Sequence, residues 1–438
     1  MIPRNRRHGL VDSARHLMSW TVAHEVWIVL ALAPFLLLYD FLPVGAGCGA
    51  VGVLVLWTCR RLHRGTLTVR TPLDGSVLTL MVMALVGTVI APDRTLALPK
   101  LYGTLAGFAV FYAVVNMPHA RGEGLGFLYV ILLMGLGVSL MAVVGTDWPR
   151  DIPSLDGFYG LLPRLIDGIP RSERGGLHHN QVAGVLAAVL PVSISLLGAS
   201  DDRWPEVPGL SNTRAGDTVR SQWAVRVVLV VQTVTLLLTQ SSLGLVVAAV
   251  GMAVLLRLER APSWRGSKWV LLCTLLMAFV LLARMVTAQR FGTLSYRGEL
   301  WTIARDLVAR YPFTGVGLGN FPIIARLRYT LSSVPVDSSI GHAHNAILQM
   351  ACDTGVAGAA AFALVVMQLA LLSHRLLEAD WGQDVVDIRG GVIASVACFL
   401  LMGAIDCYPL GNKFTFLFWS LCGMLVWLAQ RRQQELAS

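Results

Sequence analysis

Long apolar stretches separated by short polar ones follow one another along the chain, from about residue 27 to residue 428. Each stretch has roughly the 20 residues that a helix needs to cross the hydrocarbon core of a bilayer. The pattern predicts an all-α, polytopic membrane protein with about 12 transmembrane helices. The predicted helices lie at residues 26–42, 44–58, 73–91, 98–116, 124–145, 181–199, 223–238, 240–256, 268–286, 345–372, 391–409 and 412–429.

Clusters of arginine and lysine mark one side of this predicted bundle. They lie near the N-terminus, in the connections at residues 59–70 and 257–268, and in the C-terminal tail. An even number of spans places all of them on the same side, and basic connections of this kind stay in the cytoplasm. The first apolar run lacks a small-residue cleavage site, so we expect it to be retained. The expected location is a bacterial inner membrane, with several passes and both termini cytoplasmic.

The composition excludes an ordinary soluble protein. Of the 438 residues, 55% are hydrophobic and only 14% are charged, whereas soluble domains carry about 25% charged residues. The net charge of +9 is explained by topological signals and does not require a nucleic-acid partner. The seven cysteines have neither a CxxC nor a zinc-site spacing. We expect one transmembrane domain over residues 1–438.

Two long segments on the outer, periplasmic side interrupt the bundle, at residues 146–180 and 287–343. Long loops escape the rule that keeps basic residues inside, so their arginines need another explanation. A basic outer loop of this size indicates an anionic ligand. Within it, residues 296–310 have helical periodicity with one apolar face, and we expect a helix that lies along the membrane interface and ends before Pro312.

A glycine-rich stretch follows at residues 315–321. Glycines permit tight turns and let main-chain amides approach a ligand closely. The stretch is no nucleotide P-loop, because no Gly-Lys-Ser/Thr follows it. Two interpretations therefore remain open: a tight turn packed on the membrane domain, or a cradle of amides for a ligand.

The segment His342-Ala343-His344-Asn345 stands at the entrance of the tenth predicted helix. We expect His344 in the first helical turn, where the positive end of the helix dipole disfavours a charged imidazolium. A neutral imidazole on the aqueous side can accept a proton. The alternatives are a histidine that caps or packs the helix and a His-x-His metal site. Metal is the weaker one, because no carboxylate cluster accompanies the pair.

Arg174 precedes the sixth predicted helix and is the best candidate there for contact with an anion. The alternative is a plain interfacial arginine. A guanidinium suits a diphosphate because its planar fork donates two hydrogen bonds at once.

These motifs resemble the bacterial O-antigen ligase and polymerase superfamily. The clearest similarity is His344-Asn345, followed after nine residues by Gly355-Val356. The series Arg297, Trp301 and residues 312–321 resembles the outer-loop signature of that family. A Gly-x-x-x-Asn-Gln-x-Ala motif begins at Gly176 and resembles the family's entry to a middle helix. The resemblance covers roughly residues 170–360.

The resemblance implies a GT-C-like membrane glycosyltransferase with its active site on the periplasmic face. Its donor would be an O-antigen glycan on undecaprenyl diphosphate, and its acceptor a sugar of lipid A–core. Transfer would be inverting and would need no cofactor and no metal. The catalytic residues would be His344, Arg297 and Arg174. The residues that bind substrate would be Asn345, His342, Arg305, Arg290 and Asn180.

The chain departs from the family pattern at the tip between the seventh and eighth helices. The family often has Ser-Arg-Gly there, whereas this chain has Leu243 in place of the arginine. Another arginine, such as Arg174, Arg284 or Arg290, would then supply the charge. The related polymerase of O-antigen or exopolysaccharide, acting on the same lipid-linked donor, is the first alternative function. A membrane transporter is the second.

Overall fold

The computed structural model describes residues 4–119, 121–148, 156–162, 177–198, 215–258, 275, 292–332, 340–378, 383–406 and 410–437. These residues are mostly helical. The helices are α1 Arg4–Ala23, α2 Glu25–Leu37, α3 Pro43–Arg64, α4 Asp74–Ile90, α5 Arg94–Val115, α6 Arg121–Gly145, α7 Asp156–Tyr159, α8 His179–Gly198, α9 Ala215–Leu238, α10 Ser242–Leu258, α11 Gly292–Arg310, α12 Phe321–Arg328, α13 Ala346–Glu378, α14 Gln383–Ile405 and α15 Thr415–Ala437. Two short strands, β1 Thr146–Asp147 and β2 Leu177–His178, pair in parallel.

Six of the described helices are long and apolar enough to cross a membrane, and α1 with α2 forms a seventh candidate that is bent by 74°. Three shorter apolar helices lie at Asp74–Ile90, Gln222–Leu238 and Ser242–Leu258. The expected all-α, polytopic membrane protein is confirmed. The number of spans stays a prediction, because the ninth predicted helix, at residues 268–286, lies outside the described residues except for residue 275.

The other predicted spans coincide with helices, but two local features differ from the prediction. The basic segment before the first span is itself helical, as α1. The tenth predicted helix is not continuous, because the backbone of α13 leaves the helical conformation at Gly355, with φ 70° and ψ −176°.

The chain divides into two compact units. The first unit comprises Met1–His119, Leu300–Ala370 and Tyr408–Ser438. In it, α5 is the central helix and packs against α2, α4 and α15. The approach of α5 to the loop before α15 is close, because a Cβ on Gly103 would lie 2.0 Å from the carbonyl oxygen of Gly411.

Polar contacts in the first unit show which helix ends lie together. At one end, Glu25 of α2 accepts hydrogen bonds from Arg60 of α3 at 2.8 Å and from Asn116, just after α5, at 3.0 Å. Asn320 exchanges hydrogen bonds with the main chain of Asp93, which precedes α5, at 2.9 and 3.1 Å. Asp93 and Asn116 flank opposite ends of α5. The predicted threading likewise places the ends marked by Glu25, Arg60 and Asn116 on one side.

The second unit comprises Ala120–Glu299 and Leu371–Cys407. Its central helix is α8, which packs against α6, α9, α10 and α14. Small residues allow the helices to approach closely: a Cβ on Gly244 of α10 would lie 2.5 Å from Cβ of Ala183 in α8. Ala183 closes the Gly-x-x-x-Asn-Gln-x-Ala motif, so that alanine has a packing role here.

Candidate active site

The helix predicted at residues 296–310 is confirmed as α11, and its position along the membrane interface stays a prediction. Its apolar face is buried in the first unit, with Leu300, Ala304 and Leu307 at 0% exposure and Ile303 at 5%. The helix ends at Arg310, two residues before Pro312, as expected from the missing amide of proline.

The glycine-rich turn is built into the protein and is no open cradle. Gly315, Gly317 and Gly319 have φ between 70° and 102°, the left-handed region that glycine tolerates best. The amide of Val316 donates to the carbonyl of Cys352 at 2.7 Å, and that of Leu318 to the carbonyl of Gly87 at 3.0 Å. The amides of residues 315, 319 and 320 also have partners within the protein. Of the two open interpretations, the packed turn is correct for these amides.

His344 lies outside α13, two residues before its first helical residue Ala346. The expectation that it stands in the first turn is therefore wrong, because Asn345 takes the capping position. The side-chain oxygen of Asn345 accepts the amide of Leu348 at 3.0 Å, the bond that defines an N-cap. His344 is half-buried and has φ 51°, an uncommon conformation for a residue other than glycine.

Three hydrogen bonds hold the backbone around His344. Its amide donates to Nδ1 of His342 at 3.2 Å. Its carbonyl accepts the indole N–H of Trp301 at 3.3 Å. The preceding amide, of Ala343, donates to Oε1 of Gln349 at 2.7 Å. The His342 and His344 rings lie with their centroids 4.3 Å apart. His342 thus contacts the main chain of His344 through a ring nitrogen.

The glycine of the His-Asn-x9-Gly spacing has a structural explanation. At Gly355 the chain turns away from the helix, and the amide of Val356 donates to the carbonyl of Pro312 at 2.7 Å. A Cβ on Gly355 would lie 2.5 Å from the carbonyl oxygen of Phe313. The spacing therefore joins the N-terminus of α13, which carries His344, to the segment after α11.

Arg297 lies on α11, one turn before Trp301. In the second unit its guanidinium Nη2 stands 3.9 Å from Oδ2 of Asp406, and the two side chains are 16% and 12% exposed. A guanidinium carries five N–H donors, which is more than a single contact at 3.9 Å can engage. Arg305 is exposed, and its Nη2 donates to Thr302 of the same helix at 3.3 Å.

The remaining residues of the predicted site are placed only in part. Arg174 and Arg290 lie outside the described residues, as does Arg284. Asn180 is half-buried in the first turn of α8, and its amide donates to Nδ1 of His178 at 3.2 Å. Leu243 lies in the first turn of α10. The neighbouring tip is fixed by Tyr159, whose hydroxyl donates to the carbonyl of Leu238 at 2.8 Å and accepts from Gln240.

Two buried polar residues of α13 escaped the sequence analysis. Gln349 and Asp353 are 1% and 0% exposed and lie one turn apart on the helix. Nε2 of Gln349 donates to Oδ1 of Asp353 at 2.9 Å, and the same oxygen accepts the amide of Gly319 at 3.0 Å. The signal was present in the sequence, since the two polar residues stand four positions apart, on one face of the helix that follows the His-x-His-Asn motif.

A hydrogen bond to Asp306 joins α11 to Tyr329 at the end of α12. The Asp306 carboxylate accepts hydrogen bonds from the hydroxyl of Tyr329 and from the guanidinium of Arg310. Both bonds favour the ionised carboxylate, so they lower the pKa of Asp306 below its ordinary value. Arg310 is thereby engaged by the protein itself.

The fold is that of a polytopic α-helical membrane protein. The two candidate catalytic residues that the structure describes are Arg297, on α11, and His344, just before α13. A comparison with known protein families matches residues 227–363 to the family described as O-antigen ligase. The match supports assignment to the O-antigen ligase superfamily, and with it an enzyme of the ligase or polymerase type. The matched residues include Arg297, the glycine-rich turn and His344. A search of curated proteins finds no match.

Proposed function

We propose that this protein is an inverting glycosyltransferase that joins an O-antigen glycan, carried on undecaprenyl diphosphate, to a sugar of lipid A–core at the periplasmic face. The observation that carries the proposal is His344, a half-buried histidine with φ 51° inside the segment matched to O-antigen ligase. Backbone held in a sparsely populated conformation is concentrated at functional sites. The family match supports the substrate class.

The donor chemistry fits a membrane site lined by arginine. A polyprenyl diphosphate has an apolar tail and an anionic head, so its reacting bond lies at the interface. Arg297 binds the diphosphate, and Arg174 is assigned the same role on the basis of the sequence. Negative charge grows on the departing diphosphate in the transition state, and a guanidinium stabilises it there more than in the bound substrate.

His344 is the general base. As the acceptor hydroxyl oxygen bonds to the anomeric carbon, its proton passes to the imidazole, and the bond from the anomeric carbon to the phosphate oxygen breaks. The diphosphate leaves on the polyprenol and keeps the bonding electron pair, so direct displacement inverts the anomeric centre. General-base catalysis of this kind contributes about 10²–10⁴-fold to the rate. Further residues for binding are His342, Asn345, Arg305, Arg290 and Asn180.

Cellular lipids distinguish the ligase from the related polymerase. In a strain that lacks this protein, we expect long O-antigen polymer to remain on undecaprenyl diphosphate while lipid A–core stays uncapped. A single repeat unit on lipid A–core would instead identify a polymerase. Flux of lipid-linked glycan across proteoliposomes without any transfer would identify a transporter and contradict both.

Purified protein tests the chemistry directly. With lipid-linked glycan as donor and lipid A–core as acceptor, we expect transfer to continue at an unchanged rate in EDTA, because arginines take the place of a cation at the diphosphate. Loss of transfer in EDTA, restored by a divalent ion, would contradict the metal-independent mechanism. His342 and His344 would then be the first candidates for metal ligands.

A further inference from the structure

We infer that Gln349 and Asp353 are positioning residues, which fix the conformation of His344 through hydrogen bonds that reach back from α13. The inference rests on the proposed role of His344 as the base. Neither residue contacts the imidazole in the bonds described above. Their effect on catalysis would pass through the main chain of the segment 342–345.

Gln349 connects two parts of the site. Its Oε1 accepts the amide of Ala343 at 2.7 Å, immediately before His344, and its Nε2 donates to Asp353 at 2.9 Å. Ala343 and Gln349 are 0% and 1% exposed. Without Oε1, a buried amide next to the catalytic residue would lose its partner, which is unfavourable. A different conformation of the segment 342–345 would then be favoured, and the backbone of His344 would leave the left-handed conformation.

Asp353 fixes the other end of this connection. Its Oδ1 accepts both Gln349 Nε2 and the amide of Gly319. Its Oδ2 is buried and has no hydrogen-bond partner among the residues that the structure describes. Lys100 acts on this carboxylate electrostatically, and its side chain lies against Gly319, since a Cβ there would stand 2.8 Å from it. Asp353 therefore connects Gln349 to the glycine-rich turn and fixes the orientation of the Gln349 side chain.

The glycine-rich turn does not depend on Asp353 alone. Val316 and Leu318 also anchor it, to the carbonyls of Cys352 and Gly87. Burying a carboxylate with an unpaired oxygen is unfavourable, and the two main-chain bonds already hold the turn in place. Of the two groups that donate to Asp353, the amide of Gly319 belongs to that turn, and only Gln349 leads to the His344 segment. This difference assigns the pair to the His344 segment rather than to the stability of the turn.

An exchange of side-chain chemistry tests the connection. In Gln349→Glu, two carboxylates face each other and the donor to Asp353 is lost, so we expect kcat to fall roughly 10- to 100-fold as the base is displaced. KM for the lipid-linked donor should change less than twofold. In the double variant Gln349→Glu with Asp353→Asn, the side chain at position 353 is neutral, so the repulsion between two carboxylates is removed while its Oδ1 still accepts the amide of Gly319. We expect kcat to recover in part.

The same helix offers a matched control. Gln368 on α13 also uses both ends of its amide, donating to the carbonyl of Pro72 at 2.8 Å and accepting from Ser76 at 3.2 Å. Gln368→Glu should lower thermal stability in detergent by an amount similar to Gln349→Glu and leave kcat unchanged. Asp353→Asn alone keeps an acceptor for both donors, so its kcat should stay close to wild type.

The outcomes separate this inference from the proposed function. If His344→Ala retains transfer, the proposed function fails. If His344→Ala abolishes transfer while Gln349→Glu keeps the wild-type kcat, only the positioning role fails. A double variant that is no better than Gln349→Glu, although folded, would also overturn it. If Gln349→Glu does not fold, Asp353→Asn provides the test, because it keeps both hydrogen bonds. A 10- to 100-fold fall in its kcat would contradict the positioning role.

Discussion

At the scale of the residue, the half-buried Arg297 differs from the other arginines of α11. Its guanidinium is 3.9 Å from the Asp406 carboxylate and 16% exposed, whereas Arg305 is exposed and Arg310 is bonded to Asp306 at 2.8 Å. A separation of 3.9 Å is at the outer limit of an ion pair. In the proposed mechanism, a doubly charged diphosphate would therefore engage the same guanidinium with little loss.

Arg297→Gln removes the charge and the paired donors while the polar side chain remains. We expect kcat/KM for the lipid-linked donor to fall by about 10²–10³, the cost typical of losing one oxyanion-stabilising group. Arg297→Lys should recover only part of it, because an ammonium lacks the planar fork. Steady-state transfer with purified protein measures both.

Arg310→Gln is the matched control on the same helix. It removes an exposed ion pair with a side chain that is 60% exposed, and such pairs contribute little. We expect wild-type kinetics from it. Equal losses from Arg297→Gln and Arg310→Gln would mean that α11 responds to charge in general, which would contradict the specific role of Arg297.

The element that joins the site together is α13. Asn345 caps this helix, and its first part, from Ala346 to Gly355, carries the buried pair Gln349 and Asp353. The break at Gly355 then receives the carbonyl of Pro312. A continuous helix would leave no space for that carbonyl, so the break sets how α13 meets the segment after α11.

Gly355→Ala tests the importance of the break. The backbone there has φ 70° and ψ −176°, a region almost confined to glycine, so strain of about 1–3 kcal/mol is expected. We expect a lower melting temperature in detergent and reduced transfer. Gly47→Ala in α3 is the control, because its Cβ would meet nothing within 4 Å. Alanine there should leave stability unchanged or raise it. Equal melting temperatures for both variants would contradict the strained break.

At this scale the sequence predicts what depends on local periodicity. The apolar lengths located the spans, and the spacing of Leu300, Ile303 and Leu307 identified the buried face of α11. The break at Gly355 depends on a contact with Pro312, 43 positions away in the sequence, and no local pattern reports such a contact. The amides of the glycine-rich turn likewise find partners on α4 and α13. His344 stands before α13 rather than in its first turn for a local reason, because Asn345 takes the capping position.

At the scale of the whole molecule, the central expectation is which side each connection faces. The fold shows only which helix ends lie together: Glu25, Arg60 and Asn116 gather at one end, and Asp93 with Asn320 marks the other end of α5. The side of the membrane that each end faces stays a prediction. The hydropathy pattern locates long, straight spans well, but the number of spans is hard to predict from it where a helix is short or bent. The residues 268–286 and the bent pair α1 and α2 leave the number as a prediction.

Cysteine labelling in intact cells measures the orientation. In a cysteine-free background, Phe313→Cys, at a position 84% exposed after α11, should react with a membrane-impermeant reagent. Thr66→Cys, exposed in the basic connection after α3, should react only after the membrane is opened. The reverse labelling pattern would place the histidine site in the cytoplasm, where the donor glycan is not expected, and would contradict the location of the site.

The most direct test of the central claim is the rate of transfer by His344→Ala compared with His374→Ala. His374 lies near the end of α13 and has a side chain 67% exposed, so its loss should not affect the reaction. We expect His344→Ala to lower kcat by about 10²–10⁴ while KM for the lipid-linked donor stays within twofold and the protein remains folded. A folded His344→Ala protein that transfers glycan at the His374→Ala rate would contradict the account.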